Sequence, residues 1–323
     1  MLPSYFRGVQ LLLLMRPYAA KVVVAAVLPH GDFVYDPSLI HGANGSTALH
    51  GNATLLAQAI TAARPDLLFL TTPHGLEDTH DFLLYQNSAA AGVAHVGQDL
   101  HNASFPTYDV HLSANASRPA ASALVEALRG HAHVSGLLAF ADAEPIALRW
   151  GEVIPLSFLA PLLRSAPLLT CSIPTRRLAQ SGAPMTAELL RLGGALSARL
   201  EAMPHRVALL TSADLAHTHL PSGPYGYSAA AAPFDAAVGR WAATLHDEPL
   251  LSAARALVPR ALSCGYPGLV LLHGMLTRAS VFAAREWRPM EKGPFALAHP
   301  TYYGMLVAGF EREGSADRRA RRR

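Results

Sequence analysis

A short run of apolar, partly β-branched residues followed by Pro-His-Gly occurs twice in this chain and limits the folds that it can adopt. Residues 21–28 read KVVVAAVL and precede Pro29-His30-Gly31, and residues 66–71 read DLLFLT and precede Thr72-Pro73-His74-Gly75. Runs of this kind predict strands that are buried on both faces of a sheet. Because proline and glycine end a strand, each histidine is predicted to lie just beyond its carboxyl end.

The segment between these two strands predicts how they are connected. Residues 53–63 are typical of a helix, with Asn52 as its N-cap. A strand, a helix and a second strand form a βαβ unit, which predicts that the two strands pair in parallel. Parallel strands place their carboxyl ends at one sheet edge, where ligands bind. His30 and His74 are therefore predicted to share that edge.

The rest of the chain continues the alternation of strands and helices. Helices are predicted at residues 122–129, 186–203, 234–245, 250–257 and 267–278, and strands at residues 153–159, 168–172, 206–211 and 302–310. This order predicts an α/β protein, a single three-layer αβα domain with a mostly parallel central sheet. We assign residues 21–311 to that domain, residues 1–20 to an N-terminal extension and residues 312–323 to a basic, disordered tail.

Composition narrows the classes of function. Of the 323 residues, 51% are hydrophobic and 15% are charged, which allows a large core and argues against general disorder. The net charge is only +3, and the arginines of the tail have no aromatic residues among them, so no nucleic-acid partner is predicted. No apolar run reaches the ~20 residues of a membrane span, so no membrane partner is predicted.

Cysteine content and the first residues bear on the compartment. Cys171 and Cys264 are the two cysteines of the sequence, which excludes a disulfide framework and favours a reducing, cytoplasmic compartment. The first 31 residues contain no Asp or Glu but carry three basic residues, a pattern typical of organelle-targeting segments. A mitochondrial location is therefore the alternative. The sequence leaves the oligomeric state open, including a homo-oligomer.

Two imidazoles at one sheet edge predict a divalent metal site, because neutral imidazole binds Fe, Zn and Cu alike. His217 follows a third strand in the polar segment 212–217, where it is either a third ligand or a general base. The other histidines are interpreted as follows: His219, His131 and His133 as exposed loop residues, His273 as packed within a helix, and His299 as a residue of the turn before the last strand, with a place at the crevice as the alternative. The loop 223–227 is either a plain turn or a segment whose aromatic residue stacks on a planar substrate.

The order of these motifs resembles a known family. Pro29-His30-Gly31, Pro73-His74-Gly75, Val153-Ile154-Pro155-Leu156 and the segment 212–217, reading SADLAH, resemble the B-type catalytic subunits of class III extradiol ring-cleavage dioxygenases. The likeness extends over residues 22–310. The related Memo proteins are similar too, through residues 212–217 and through Cys264-Gly265 before a helix.

The resemblance implies roles for these residues. His30 and His74 would be the two imidazole ligands of Fe(II), and His217 would be the histidine that acts as an acid or base beside the substrate. The family's third ligand is a glutamate, whereas this chain carries Cys264 in the corresponding segment. We expect a helix dipole to lower the pKa of that thiol and make it a thiolate ligand. Glu144 and Glu152 are the carboxylate alternatives.

A second departure concerns the turn before residues 153–156. The family commonly has Asp-His-Gly there, and this chain has Arg149-Trp150-Gly151. The resemblance implies an Fe(II) dioxygenase that takes a small aromatic diol and O₂ and opens the ring, with Zn or Cu as alternative metals. Two other functions stay open: a Memo-like protein that binds iron, copper or a peptide without ring cleavage, and a zinc-dependent hydrolase.

Overall fold

The computed structural model describes residues 21–40, 45–97, 107–130, 133–177, 185–278, 287–291 and 293–312. The extension 1–20, His131 and residues 313–323 lie outside these ranges. Arg312, which composition assigned to the tail, is instead the last residue of a strand. Its guanidinium donates to the Val22 carbonyl oxygen at 3.1 Å and pairs with Glu201.

The described residues form strands and helices in alternation. The strands are β1 (Val22–Leu28), β2 (Leu67–Thr72), β3 (Phe82–Tyr85), β4 (Ala89–Val96), β5 (Tyr108–Asn115), β6 (Val134–Leu137), β7 (Ile146–Leu148), β8 (Leu168–Ser172), β9 (Val207–Ser212), β10 (Trp287–Pro289), β11 (Phe295–Ala298) and β12 (Met305–Arg312). The helices are α1 (Asp32–Tyr35), α2 (Ser46–Ala62), α3 (Arg118–Leu128), α4 (Trp150–Ser157), α5 (Thr186–Ala202), α6 (Ala231–Thr244), α7 (Arg255–Ala261) and α8 (Tyr266–Thr277).

The main sheet has a parallel centre with antiparallel strands beside it. Its order is β10-β12-β1-β9-β2-β8-β3-β6, with β11 paired to β12. Strands β1, β9, β2 and β8 are mutually parallel, whereas β12 and β3 run antiparallel to their central neighbours. A second sheet, β5-β4-β7, packs separately.

Two hydrophobic cores lie on opposite faces of the main sheet. Along β1, Val22, Ala25 and Val27 contribute to the core that holds α3, α5, α6 and α8. Val24, Ala26 and Leu28 contribute to the core that holds α1, α2, α4 and the second sheet. The structure therefore confirms the predicted α/β class and the three-layer αβα arrangement.

The predicted direct pairing of β1 with β2 is wrong, because β9 lies between them. Ala25 of β1 and Phe69 of β2 both align with Leu209 of β9. The direction was correct, but a helical crossover does not require its two strands to be neighbours. As a consequence, the residues that follow β9 lie between the two Pro-His-Gly turns.

The strand predicted at residues 153–159 is also wrong: these residues belong to helix α4 and its end. A short, fully apolar run fits a buried strand and a buried helix equally well, so the pattern could not separate them. The helix is started by a local cap, in which a side-chain oxygen of Glu152 accepts from the Arg149 N–H at 2.6 Å.

The remaining differences concern helix limits. Helix α2 begins at Ser46, so Asn52 is not its N-cap; the Asn52 amide donates to the Ala48 carbonyl oxygen within the helix. The helix predicted at 250–257 comprises the π-helical turn Pro249–Ala254 followed by α7. None of the described helices is both long and apolar enough to cross a membrane.

The raised pKa of Glu152 should make the stability of the folded chain depend on pH. Burial raises its pKa to about 7 from the ordinary 4.5, so the folded chain keeps a proton that the unfolded chain releases between these values. Stability contributed by this protonated carboxyl is lost as the pH rises through that window, by at most roughly 3 kcal/mol. Urea unfolding across the window should show a flatter profile for Glu152→Gln than for the unmodified chain. Parallel profiles would contradict this assignment.

Candidate metal centre

The two histidines of the repeated motif lie side by side at the carboxyl ends of β1 and β2. Their ring centroids are 4.8 Å apart and their planes are perpendicular. Cys264 completes the group: its Sγ lies 3.4 Å from His30 Nε2, and one ligand atom from each of the three residues lies within 4.8 Å of the others. Three side chains from distant parts of the chain can therefore hold one metal ion.

Hydrogen bonds determine the orientation of His30. Its Nδ1 lies 2.8 Å from Ser212 Oγ, and that hydroxyl donates to the Gly151 carbonyl oxygen at 2.5 Å. Because the serine proton is used in this second bond, Ser212 Oγ accepts a hydrogen bond from the His30 Nδ1–H. In the neutral ring, Nε2 then carries the lone pair. This nitrogen faces the Asp214 carboxylate, 3.3 Å away, as well as Cys264.

His74 is oriented by packing. Its backbone N–H donates to Thr72 Oγ1 at 3.2 Å, and its ring stacks on the indole of Trp150 with centroids 4.9 Å apart. The Arg149 guanidinium lies 4.9 Å from the same indole. A Cβ built on Gly151 would come within 2.7 Å of His74 Cβ, so only glycine allows this close approach. Trp150 therefore contacts one imidazole of the pair, that of His74, directly.

Electrostatics favour neutral imidazoles here. Burial lowers the pKa of His74 to about 4, and burial together with the neighbouring His74 and His217 holds the pKa of His30 well below its ordinary value. Both rings thus present lone pairs at neutral pH, beside the buried Asp214 carboxylate. A divalent cation stabilises such a concentration of electron pairs. The donor set therefore fits a metal ion.

The expected lowering of the Cys264 pKa is wrong. Burial is the largest influence and raises the pKa of this thiol, and the nearby Asp214 raises it further. The thiol contacts the Asp214 carbonyl oxygen at 3.7 Å. Desolvation of a thiolate thus outweighs the helix dipole. A coordinated cation would reverse this balance, because a metal deprotonates the thiol that binds it.

His217 lies beside this group in an aromatic setting. Its Nδ1 donates to the Leu215 carbonyl oxygen at 2.9 Å, which leaves the lone pair of the neutral ring on Nε2. Burial lowers its pKa to about 4, against the opposing effect of the carbonyl groups nearby. Tyr303 stacks on the ring at 5.7 Å, and Tyr225 and Tyr302 approach at 5.8 and 6.1 Å. Tyr225 is thus the residue of the loop 223–227 that contacts His217, and its stacking on a substrate stays a prediction.

Other predicted residues lie elsewhere. His219 is buried, contrary to expectation, because Asp235 accepts from its Nε2 at 2.8 Å and His299 stacks on it at 4.1 Å. His273 is buried as predicted and contacts Trp241 and Asp247. His133 is exposed as predicted.

The two carboxylate alternatives for the third ligand differ in their burial. Glu144 is exposed, and Glu152 is buried in the cap of α4; neither belongs to the metal-type group formed by the described residues.

The importance of Asp214 is visible only in the structure. Its Oδ1 accepts from the His30 backbone N–H at 3.1 Å, and its carbonyl oxygen accepts from the Gly265 N–H at 3.0 Å. One residue thus links the His30 turn to the segment that carries Cys264. Its position two residues beyond β9 was a signal, but it gained meaning only once β9 was seen between β1 and β2.

Fold and site together define an α/β protein with a metal-type His-His-Cys group at the carboxyl edge of its parallel strands. Residues 24–254 match the family described as the catalytic LigB subunit of aromatic ring-opening dioxygenase. The chain belongs to that family. None of the curated proteins compared with it matches significantly. Among solved structures, an uncharacterized protein from Escherichia coli K12 is similar at 18% identity and a TM-score of 0.47, with 89% of this chain and 99% of that chain covered.

Proposed function

We propose that this protein is a non-haem Fe(II)-dependent extradiol dioxygenase that inserts O₂ into a small, catechol-like aromatic diol and opens its ring. The observation that carries the proposal is the convergence of His30, His74 and Cys264, with ligand atoms within 4.8 Å of one another and His217 beside them. Membership of the ring-opening dioxygenase family supports the reaction class.

In this proposal His30, His74 and Cys264 hold the metal. Fe(II) would supply a meeting point for the diol and dioxygen and exchange electrons with both. Asp214 adds buried negative charge at 3.3 Å from His30 Nε2, which favours a cation in the group. The Ser212 hydrogen bond keeps the His30 lone pair on Nε2, where the other ligands converge.

His217 handles protons in this proposal. Its depressed pKa keeps it neutral at physiological pH, so Nε2 can accept a proton from a substrate hydroxyl. The carbonyl oxygen of Leu215 holds the opposite ring nitrogen. Tyr225 and Tyr302 form an aromatic boundary next to His217, suited to orienting a planar ring. With Trp150 in place of the family's second histidine, His217 carries the acid–base role alone.

Anaerobic reconstitution with Fe(II), followed by catechol and then air, tests this function. We expect iron to bind stoichiometrically and a yellow ring-opened product to form. A chain that binds iron but converts none of several diols would contradict the proposal and favour the Memo-like alternative. That alternative rests on two observations, the cysteine in the ligand group and the tryptophan at position 150. Purification with zinc alone would point instead to a hydrolase.

Replacing the third ligand is a direct test of the ligand set. Cys264→Ser is expected to weaken Co(II) binding by more than about 1.4 kcal/mol, a factor of ten, and to remove the thiolate-to-cobalt charge-transfer absorption, because a hydroxyl is a poorer ligand than a thiolate. Titration followed by absorption spectroscopy measures both. Cys171→Ala is the matched control, since Cys171 is buried within β8. A charge-transfer band that persists in Cys264→Ser would exclude the cysteine as a ligand.

A further inference from the structure

Helix α4 contains a proline in its interior, at a position that matters for His30. Pro155 is the sixth residue of Trp150–Ser157. Proline has no N–H, and its ring clashes with the carbonyl group four residues earlier. That carbonyl belongs to Gly151. The regular helical donor to the Gly151 oxygen is therefore missing.

The Gly151 oxygen receives a different hydrogen bond. Ser212 Oγ, at the end of β9, donates to it at 2.5 Å. Since the serine hydroxyl has one proton, the same oxygen can meet His30 Nδ1, 2.8 Å away, only as an acceptor. The Asp214 carboxylate, 3.3 Å from Nε2, favours a proton on that nitrogen instead, so the Ser212 bond decides which ring nitrogen is protonated. All three residues are buried. The absence of an N–H at Pro155 is thus linked to the tautomer of His30 through two consecutive hydrogen bonds, Ser212 to Gly151 and His30 to Ser212.

We propose that Pro155 is a positioning residue for the metal centre: it frees the Gly151 carbonyl for Ser212, which holds His30 as the Nδ1–H tautomer with its Nε2 lone pair towards His74 and Cys264. The inference rests on the proposed metal site but concerns residues outside the ligand group. Other partners that orient metal-binding histidines act in the same way, and their loss costs 10–100-fold in metal affinity.

Replacing Pro155 should affect metal affinity and folding stability in different ways. In Pro155→Ala the new N–H at position 155 can bond to Gly151, so the helix should be at least as stable as before. The new N–H competes with the Ser212 hydroxyl for the Gly151 oxygen, which frees that hydroxyl to donate to His30 Nδ1. The ring proton then moves to Nε2, where the Asp214 carboxylate 3.3 Å away accepts its hydrogen bond, and the ligand atom is blocked. We expect Co(II) affinity to fall about tenfold, while the midpoint of thermal unfolding stays equal or rises.

Two measurements on the full-length protein test whether Pro155 acts on His30 through Gly151 and Ser212. Nitrogen-15 NMR of histidine-labelled, metal-free protein should show His30 as the Nδ1–H tautomer, and Pro155→Ala should shift it towards Nε2–H. Calorimetric titration with Co(II) should give the double variant Pro155→Ala/Ser212→Ala the same affinity as Ser212→Ala alone, because both changes break one path. Pro233→Ala, in the exposed first turn of α6, is the control and should change neither.

The outcomes distinguish the positioning role from the metal site. An unchanged His30 tautomer in Pro155→Ala, or fully additive losses of Co(II) affinity in the double variant, would overturn the role of Pro155. If the unmodified protein bound no Co(II) while the tautomer still shifted as expected, the positioning role would stand and the proposed metal function would fail. The NMR measurement needs no metal, so it tests the role of Pro155 in either case.

Discussion

His74→Ala is expected to abolish stoichiometric metal binding. The variant removes one of two imidazoles whose ring centroids are 4.8 Å apart, and it leaves the Trp150 indole facing an empty space. With His30 and Cys264 remaining, the protein would supply two ligand atoms of the group, too few for the closed geometries that divalent metals adopt. We expect less than about one tenth of the metal content of the unmodified chain.

Metal content after reconstitution and dialysis measures this effect directly. His95→Ala is the matched control, because His95 is an exposed histidine of β4 that pairs with Asp109. Loss of a surface ion pair of this kind is worth little, and the control should bind metal normally. Undiminished metal content in His74→Ala would remove His74 from the ligand set and with it the proposed metal site.

His217→Ala is expected to keep its metal and lose turnover. The ring lies beside the ligand group but outside it, with Nδ1 committed to the Leu215 carbonyl oxygen. General acid–base catalysis contributes typically 10²–10⁴-fold, so we expect kcat to fall by about that factor while metal content stays at one per chain. Diol consumption and metal analysis on the same sample separate the two effects.

For His217 the two quantities to compare are the metal content and the turnover of each variant. His217→Gln serves as a second variant, since an amide can still bond to Leu215 but cannot accept a proton as a base. Both variants should lose turnover to a similar extent. Loss of metal from either one would make His217 a ligand, and undiminished turnover in both would remove it from the reaction.

The convergence of His30 and His74 could be predicted because each is positioned by its own local motif. An apolar strand that ends in Pro-His-Gly places a histidine at a carboxyl edge, whichever strands are its neighbours. The role of Ser212 and Asp214 could not be predicted in the same way. It depends on β9 lying between β1 and β2, and strand order is decided by contacts between residues far apart in sequence.

The errors at α4 and at His219 have related causes. The run 153–156 is buried whether it is a strand or a helix, and the hydrogen bond that the Arg149 N–H donates to Glu152 favours the helix. His219 reads as a loop histidine, yet Asp235 on α6 draws it into the interior. In both cases a polar partner decided the outcome, and apolar periodicity carries no information about such partners.

The amino-acid pattern alone was enough for the α/β class, the layered arrangement and the edge of the sheet at which the histidines lie, since these follow from short-range periodicity and strand-ending residues. Tertiary packing alone decided which atoms meet: the thiol of Cys264 beside His30, the indole of Trp150 on His74, and the chain of bonds from Gly151 through Ser212 to His30. The two differ in the sequence separation of the residues involved. Secondary structure reflects neighbours within a few residues, whereas coordination geometry, tautomer and pKa depend on groups that only folding brings within a few ångströms.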